Sequence, residues 1–151
     1  MNVCIRKIPR TQDEEVQIRC HVVTKSVREL EMLIKSRQER LEGTRDGRSY
    51  AITLLDIYYV EAVDHRVFAY LKDDVYQLKM KLYEFETAYG ENSFFRCSKA
   101  VIINLMKIQS LKPALNGRFS ASMRNGEEVI ISRKFVGELK DRLQKGKCND
   151  R

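Results

Sequence analysis

The chain has 151 residues, 43% hydrophobic and 32% charged, and 28 Lys and Arg against 21 Asp and Glu leave a net charge of +7. That length suits one main domain with a small appendage, and the apolar fraction is that of a folded chain rather than a disordered one. No apolar run approaches the roughly 20 residues that cross a bilayer, and no long apolar segment follows the charges at the amino end, so neither a membrane span nor a secretory signal is expected and the chain is assigned to the cytoplasm.

Residues 2–8 alternate Val3 and Ile5 with polar neighbours, the period of a strand. Residues 11–15 are polar and acidic and read as a turn. Residues 16–23 alternate again, with Val16, Ile18, Cys20 and Val22 on one side. Ser26-Val27-Arg28-Glu29 has the form of a capping box, with Ser26 as N-cap and Glu29 reaching back. The helix that follows sets Val27, Leu30, Ile34 and Leu41 along one stripe, with Glu31 and Lys35 as an ion pair opposite. Residues 41–47 read as a polar joint. Residues 1–46 are therefore expected to form a strand–strand–helix module, suited to dimerisation or partner binding, ahead of a main domain at 47–146 and a basic tail at 147–151.

From Ser49 the pattern is mostly strands: residues 50–55, then 56–63, rich in β-formers, then a polar tip at Asp64-His65-Arg66. Residues 67–71 and 75–78 flank Lys72-Asp73-Asp74, a hairpin turn. A helix from about Lys79 carries Leu82, Phe85 and Tyr89 inward and stops at Gly90. Residues 51–93 hold 4 basic and 8 acidic side chains, so a polyanion would not dock there.

Residues 94–104 form a strand, a polar loop at Ser98-Lys99 and an apolar segment. Residues 105–115 approach an edge strand, since Pro113 cannot donate to a central ladder. Asn116-Gly117 and Asn125-Gly126 are strong hairpin signals around the alternating Phe119, Ala121 and Met123. Val129-Ile130-Ile131 completes the meander. Ser132 then caps a helix with Phe135, Val136, Leu139 and Leu143 on its buried side, ending before Gly146. From residue 94 onward 13 Lys and Arg face 5 Asp and Glu, so the basic excess is local and suits a polyanion.

Chemistry of other kinds finds little material. Cys4, Cys20, Cys97 and Cys148 are far apart with no C-x-x-C pair, and read as free thiols rather than a disulfide framework. Cys20 and His21 are neighbours on a strand pattern and point apart, a poor chelate. With only His21 and His65 available, no metal site, cofactor, small-molecule substrate or catalytic residue is expected. Asp56, Glu61, Asp64, Asp73 and Asp74 supply carboxylates, but no general-base histidine, nucleophile elbow or phosphate loop accompanies them, so an enzyme is not expected.

Residues 48–144 resemble a LytTR DNA-binding domain. The resemblance rests on Phe94/Phe95-Arg96, Ser98, Ala100 and Asn104 in an F-x-R-x-[HS]-x-[SA]-x-x-x-N string, on Asn125-Gly126, and on Ile131-Ser132-Arg133-Lys134-Phe135. The upstream Asp56-Ile57-Tyr58-Tyr59-Val60-Glu61-Ala62 is similar to the family's early strand. Ser98 stands where many members have His, and Ala100 where many have Ser. The resemblance implies a mainly β (α+β) fold of stacked antiparallel sheets with a few helices. It implies a DNA-binding transcriptional regulator that offers loops, not a recognition helix, to successive major grooves of double-stranded DNA, as a homodimer on tandem sites. Base-reading contacts are implied at His65, Lys99 and Arg133, and phosphate contacts at Arg66, Arg96, Ser98, Arg118 and Lys134. An Arg can grip guanine with two hydrogen bonds, worth about 1–3 kcal/mol per base pair. Phosphate contacts orient the protein without reading sequence.

The family's phosphoacceptor receiver domain does not fit in the residues before 48, so control by aspartyl phosphorylation on this chain is not expected, and control by a membrane protein is the alternative. Simpler readings stand beside these. Lys99 is also an ordinary loop lysine, His65 an exposed turn residue, and Arg133 a first-turn arginine pairing with Glu128 or Asp141. Asn104 reads as a structural residue and Tyr50, Tyr58, Tyr59, Phe94 and Phe95 as core. The alternative function is a non-enzymatic RNA- or protein-binding β module.

Overall fold

A computed structural model of the protein describes residues 1–148, with side chains through Leu143. Regular structure begins at α1 (Lys25–Gln38), which Thr24 caps by accepting the Val27 N–H at 3.3 Å. Lys35 and Arg37 in its last turn face the negative end of the helix dipole. Val27 is buried and Leu30, Met32, Leu33 and Ile34 half-buried along the helix, which packs on the 3-10 turn at Leu54–Asp56.

Seven strands then build one antiparallel sheet: β1 (Arg40–Arg45), β2 (Arg48–Thr53), β3 (Tyr59–Val63), β4 (Arg66–Tyr70), β5 (Val75–Leu78), β6 (Phe94–Arg96) and β7 (Val101–Asn104), in spatial order β2-β1-β5-β4-β3-β7-β6. Helix α2 (Leu82–Tyr89) lies between β5 and β6 in the chain. Strands β8 (Ile108–Pro113), β9 (Phe119–Met123) and β10 (Glu128–Ile131) make a second sheet in order β10-β9-β8, and α3 (Arg133–Cys148) follows. Pro113 ends β8, an edge strand, where its missing N–H costs no ladder bond.

Strand alternation divides the core in two. Val60, Ala69, Leu78 and Ile102 face one way, under Leu82 and Phe85 of α2. Tyr58, Phe95 and Ile103 face the other way, against Ala121, Met123 and Ile131 of the second sheet and Leu139 of α3. The neighbours Phe94 and Phe95 thus serve opposite cores, because successive strand residues point to opposite faces. Phe94 meets Phe85 edge-on, with centroids 5.0 Å apart, an arrangement favourable for ring quadrupoles. The second sheet and α3 therefore grip the β6–β7 edge of the first sheet.

Several expected elements differ. Residues 2–8 and 16–23 are not strands; Val3 and Ile5 are 91% and 92% exposed. Alternation supplies a face to bury, but a strand also needs a neighbour for its N–H and C=O groups, and no edge reaches this segment. The α1 cap is Thr24, two residues before Ser26. The expected joint at 41–47 is strand β1 and a tight turn at Asp46-Gly47, whose hairpin with β2 joins the large sheet and also pairs with β5. Leu41 is in that strand rather than on the α1 stripe. Strand β3 starts only at Tyr59, because Leu54–Asp56 closes a 3-10 turn first. Helix α2 starts at Leu82 rather than near Lys79, and α3 runs through Gly146 to Cys148, so only residues 149–151 of the expected tail lie outside the described part.

Candidate nucleic-acid interface

Register brings four chain reversals to one rim. In the large sheet Val63 pairs with Arg66 and Glu61 with Val101, so the β3–β4 turn and the β6–β7 loop emerge side by side. The Ala62 N–H donates to Ala100 O at 2.8 Å and joins them beyond the ladder. The Ser132 N–H donates to Cys97 O at 2.8 Å and ties the start of α3 to the same loop. The β8–β9 turn closes the group: a β-carbon on Gly117 would stand 2.9 Å from Arg133 Cδ, so glycine leaves room for the arginine stem.

His65 occupies the tip of the β3–β4 turn. Asp64 and His65 have φ of 49° and 63°, a pair of left-handed residues that matches the twist of a tight hairpin and that Asp and His adopt more readily than most side chains. Arg66 is exposed one residue on. Lys99 is exposed at the tip of the next loop, which is built tightly around it. The Cys97 and Ser98 N–H groups donate to Val101 O at 3.0 and 3.3 Å, and Ala100 N–H donates to Ser98 Oγ at 3.3 Å.

Arg96 holds that loop from below. Its Nε donates to Ser98 O at 2.8 Å, one terminal nitrogen donates to Lys99 O, and the other meets Glu86 of α2 at 2.9 Å. Of the expected phosphate contacts it is the one turned inward: strand geometry at β6 sends its guanidinium back along the loop instead of out to the rim. Arg118, Arg133 and Lys134 are exposed and, with Asn116 and Ser132, line an open cleft of about 580 Å³. Arg133 is not paired with Glu128, which instead lies 3.8 Å from Lys112. Among the described residues no carboxylate is in salt-bridge reach of His65, Arg66, Lys99, Arg118, Arg133 or Lys134.

The opposite end of the large sheet is mixed in sign, with Arg45, Arg48 and Lys72 beside three carboxylates. The β1–β2 and β4–β5 turns lie there with Asp46, Asp73 and Asp74, and Arg45 pairs with Asp74 across them.

Beneath the rim lie groups with structural duties. Asn104, fully buried, accepts from Ser93 Oγ at 2.7 Å and Met106 N–H at 3.1 Å and donates to Ile57 O at 2.8 Å. Cys97 is fully buried, and desolvation pushes its thiol up to about 12. Tyr59 is raised as well, by burial first and by the Glu127 carboxylate near it. Two features have no clear signal in the sequence. Leu115, 85% exposed, stands on the β8–β9 turn beside the cleft. Arg142 of α3 donates to Phe94 O and Asn92 O at 2.9 and 3.1 Å and lies over Phe95, pinning helix to sheet. Only the helical period of α3, which puts it on the Leu139 side, hints at the latter.

A β scaffold that shows cationic turns from one rim is the class of protein these observations define. The model of the LytTr DNA-binding domain family matches residues 47–144, and the chain belongs to that family. Its fold resembles that of a LytTr DNA-binding domain from Bacillus cereus, with a TM-score of 0.67, 24% identity, and coverage of 70% of this chain and 97% of that one. It is 31% identical over 97 residues to the transcriptional regulatory protein YpdB of Escherichia coli K12, covering 64% of this chain and 40% of YpdB. It is 28% identical over 98 residues to the sensory transduction protein LytT of Enterococcus faecalis, covering 65% and 40%. An uncharacterized HTH-type transcriptional regulator of Staphylococcus aureus MRSA252 is 28% identical over 103 residues, or 68% of this chain and 69% of that one. The chain thus spans 40% of the length of the first two. Among the described residues no helix is long and apolar enough to cross a membrane.

Proposed function

We propose that the chain is a sequence-specific DNA-binding transcriptional regulator. It reads successive major grooves with the turns of its basic rim, as a pair on tandem sites. The observation that carries this reading is the joining of four reversals at one end of the molecule, held by the Ala62–Ala100 and Ser132–Cys97 backbone bonds and the Gly117–Arg133 contact. Turns fixed in this way can enter a groove without losing much freedom on binding. The three helices are separated by strands in the chain, so among the described residues there is no helix pair of the helix-turn-helix kind.

His65, Lys99 and Arg133 are the base-reading side chains in this proposal, because the first two top turns, the third opens α3 beside them, and none is spent on a carboxylate. Arg66, Ser98, Arg118 and Lys134 meet phosphate oxygens on either side, where the first-turn N–H groups of α3 add positive potential. Arg96 positions Lys99 instead of touching DNA. Leu115 suits the methyl group of a thymine, the apolar landmark of the major groove.

Selection of bound sequences from random duplexes, followed by footprinting, tests the reading and shows whether two copies sit side by side. On the selected site Arg133→Ala should lose about 10- to 100-fold in affinity and less on random duplex. Arg118→Ala should weaken both alike. Equal losses on the two DNAs for Arg133→Ala would remove it from base reading. Structured RNA competing as well as the selected duplex would sink the DNA assignment.

A further inference from the structure

The segment before α1 and a cleft beside α1 complement each other in charge and apolar character. Residues 1–23 form no strand, and Val16 and Val22 are 64% and 65% exposed. The backbone bond described within this segment is the turn from Gln12 N–H to Pro9 O at 3.0 Å. An acidic run, Asp13-Glu14-Glu15, leads directly into Val16 and Ile18, apolar at the spacing of one strand face. Val16 is exposed and Ile18 half-buried, and backbone that forms no ladder of its own while offering apolar side chains is suited to pairing with another surface.

The cleft, of about 550 Å³, opens between the first two turns of α1 and the opposing side of the body. Met32, Leu105 and Met106 supply apolar lining. Lys25, Arg28, Arg124 and Arg142 lie around it against one carboxylate, Glu29. The pairs already formed there are loose: Lys25–Glu29 and Arg28–Glu31 are 3.7 Å apart and exposed, so they compete weakly for an incoming acid. Arg142 gives two donors to backbone carbonyls and contributes mainly its charge. An apolar lining ringed by cations calls for an occupant with apolar side chains beside carboxylates.

We propose that this cleft takes residues 13–18 of a second copy of the chain, Val16 and Ile18 on the apolar lining and Asp13, Glu14 and Glu15 against the cationic rim. The exchange is reciprocal, so one two-fold contact satisfies both copies. In the single chain Asp13, Glu14, Glu15 and Val16 stand exposed and do not line the cleft. This inference rests on the pairing in the preceding reading and names the surface that makes it.

The test reverses charge on each side separately in the full chain: Asp13→Lys with Glu14→Lys and Glu15→Lys on the arm, and Arg28→Glu with Arg124→Glu on the cleft. Self-association by sedimentation should weaken about tenfold or more in either variant. An equimolar mixture of the two should recover it, because each arm then meets a cleft of opposite sign. Urea midpoints close to that of the unaltered chain show that both variants are folded. Self-association that ignores both reversals would overturn the exchange while leaving pairing on DNA intact. A chain that stays monomeric, including one whose arm fills its own cleft, would overturn it too. Single-copy footprints on the selected duplex would instead count against the pairing reading itself.

Discussion

Gly117 shows how one residue can tie backbone conformation to the proposed recognition. Its φ of +73° is in the left-handed region, and its missing β-carbon is where the Arg133 stem passes. Gly117→Ala should therefore cost about 1 kcal/mol or more in a urea denaturation. It should also displace Arg133 and so copy part of the Arg133→Ala loss on the selected duplex. A variant that keeps wild-type affinity would show that the arginine reaches DNA by another path. Cys97 offers a test of the core. Its thiol rises from 9.0 to about 12 in the fold, so below about pH 9 folded and unfolded chains both keep the proton. Above that the unfolded chain loses it first, and stability should fall with rising pH towards about 12, by up to about 1.4 kcal/mol per pH unit. Urea midpoints of the wild type should fall more steeply above pH 9 than those of Cys97→Ala; parallel curves would mean the thiol is not shielded. Asn104 was legible as structural, but its partners Ser93 and Ile57 lie on other segments and only the fold identifies them.

The β6–β7 hairpin makes the corresponding point for elements. Its loop is short and carries two polar residues, yet Arg96 connects it to α2 through Glu86. Arg96→Ala should raise amide exchange at Lys99 and Ala100 and reduce discrimination between DNA sequences, with little change in overall stability, since the exposed ion pair contributes about 0–1 kcal/mol. Arg96→Lys should not restore it, because one ammonium cannot serve acceptors on both sides of the loop. Unchanged exchange in Arg96→Ala would deny the residue its positioning role. Strands and turns from β2 to β10 were largely legible, because alternation and Asn-Gly pairs act locally: Asn125-Gly126 closes β9–β10 and Asn116-Gly117 closes β8–β9. The failures lay where a partner had to be supplied. Residues 2–8 and 16–23 have strand alternation with no strand beside them, and residues 41–47 look like a joint until β2 and β5 flank the strand they begin with.

At the scale of the whole molecule the net positive charge of the turns lies at one end of the large sheet. The rim turns set Arg66, Lys99, Arg118, Arg133 and Lys134 against Asp64, whereas the opposite turns balance Asp46, Asp73 and Asp74 with Arg45, Arg48 and Lys72, a distribution that would steer a polyanion to the rim. Binding to DNA should weaken with salt. With Arg66, Arg118 and Lys134 each neutralising a phosphate, log K should fall against log salt with a slope of about −2.7 or steeper. A slope near zero would mean that the basic rim is not the contact surface.

Composition, period and short motifs determined much of this protein without any coordinates: a mainly β chain, its turns, its local basic excess and its family resemblance. Those properties are set by neighbours in the sequence, through strand alternation, turn conformation and covalent order. The tertiary structure decided which cations share a rim, that Arg96 faces inward, that β1 belongs to the large sheet and that the first 23 residues remain unpaired. These depend on register and on partners distant in the chain, and a hydrogen bond such as Ser132 N–H to Cys97 O exists only after both sheets have packed.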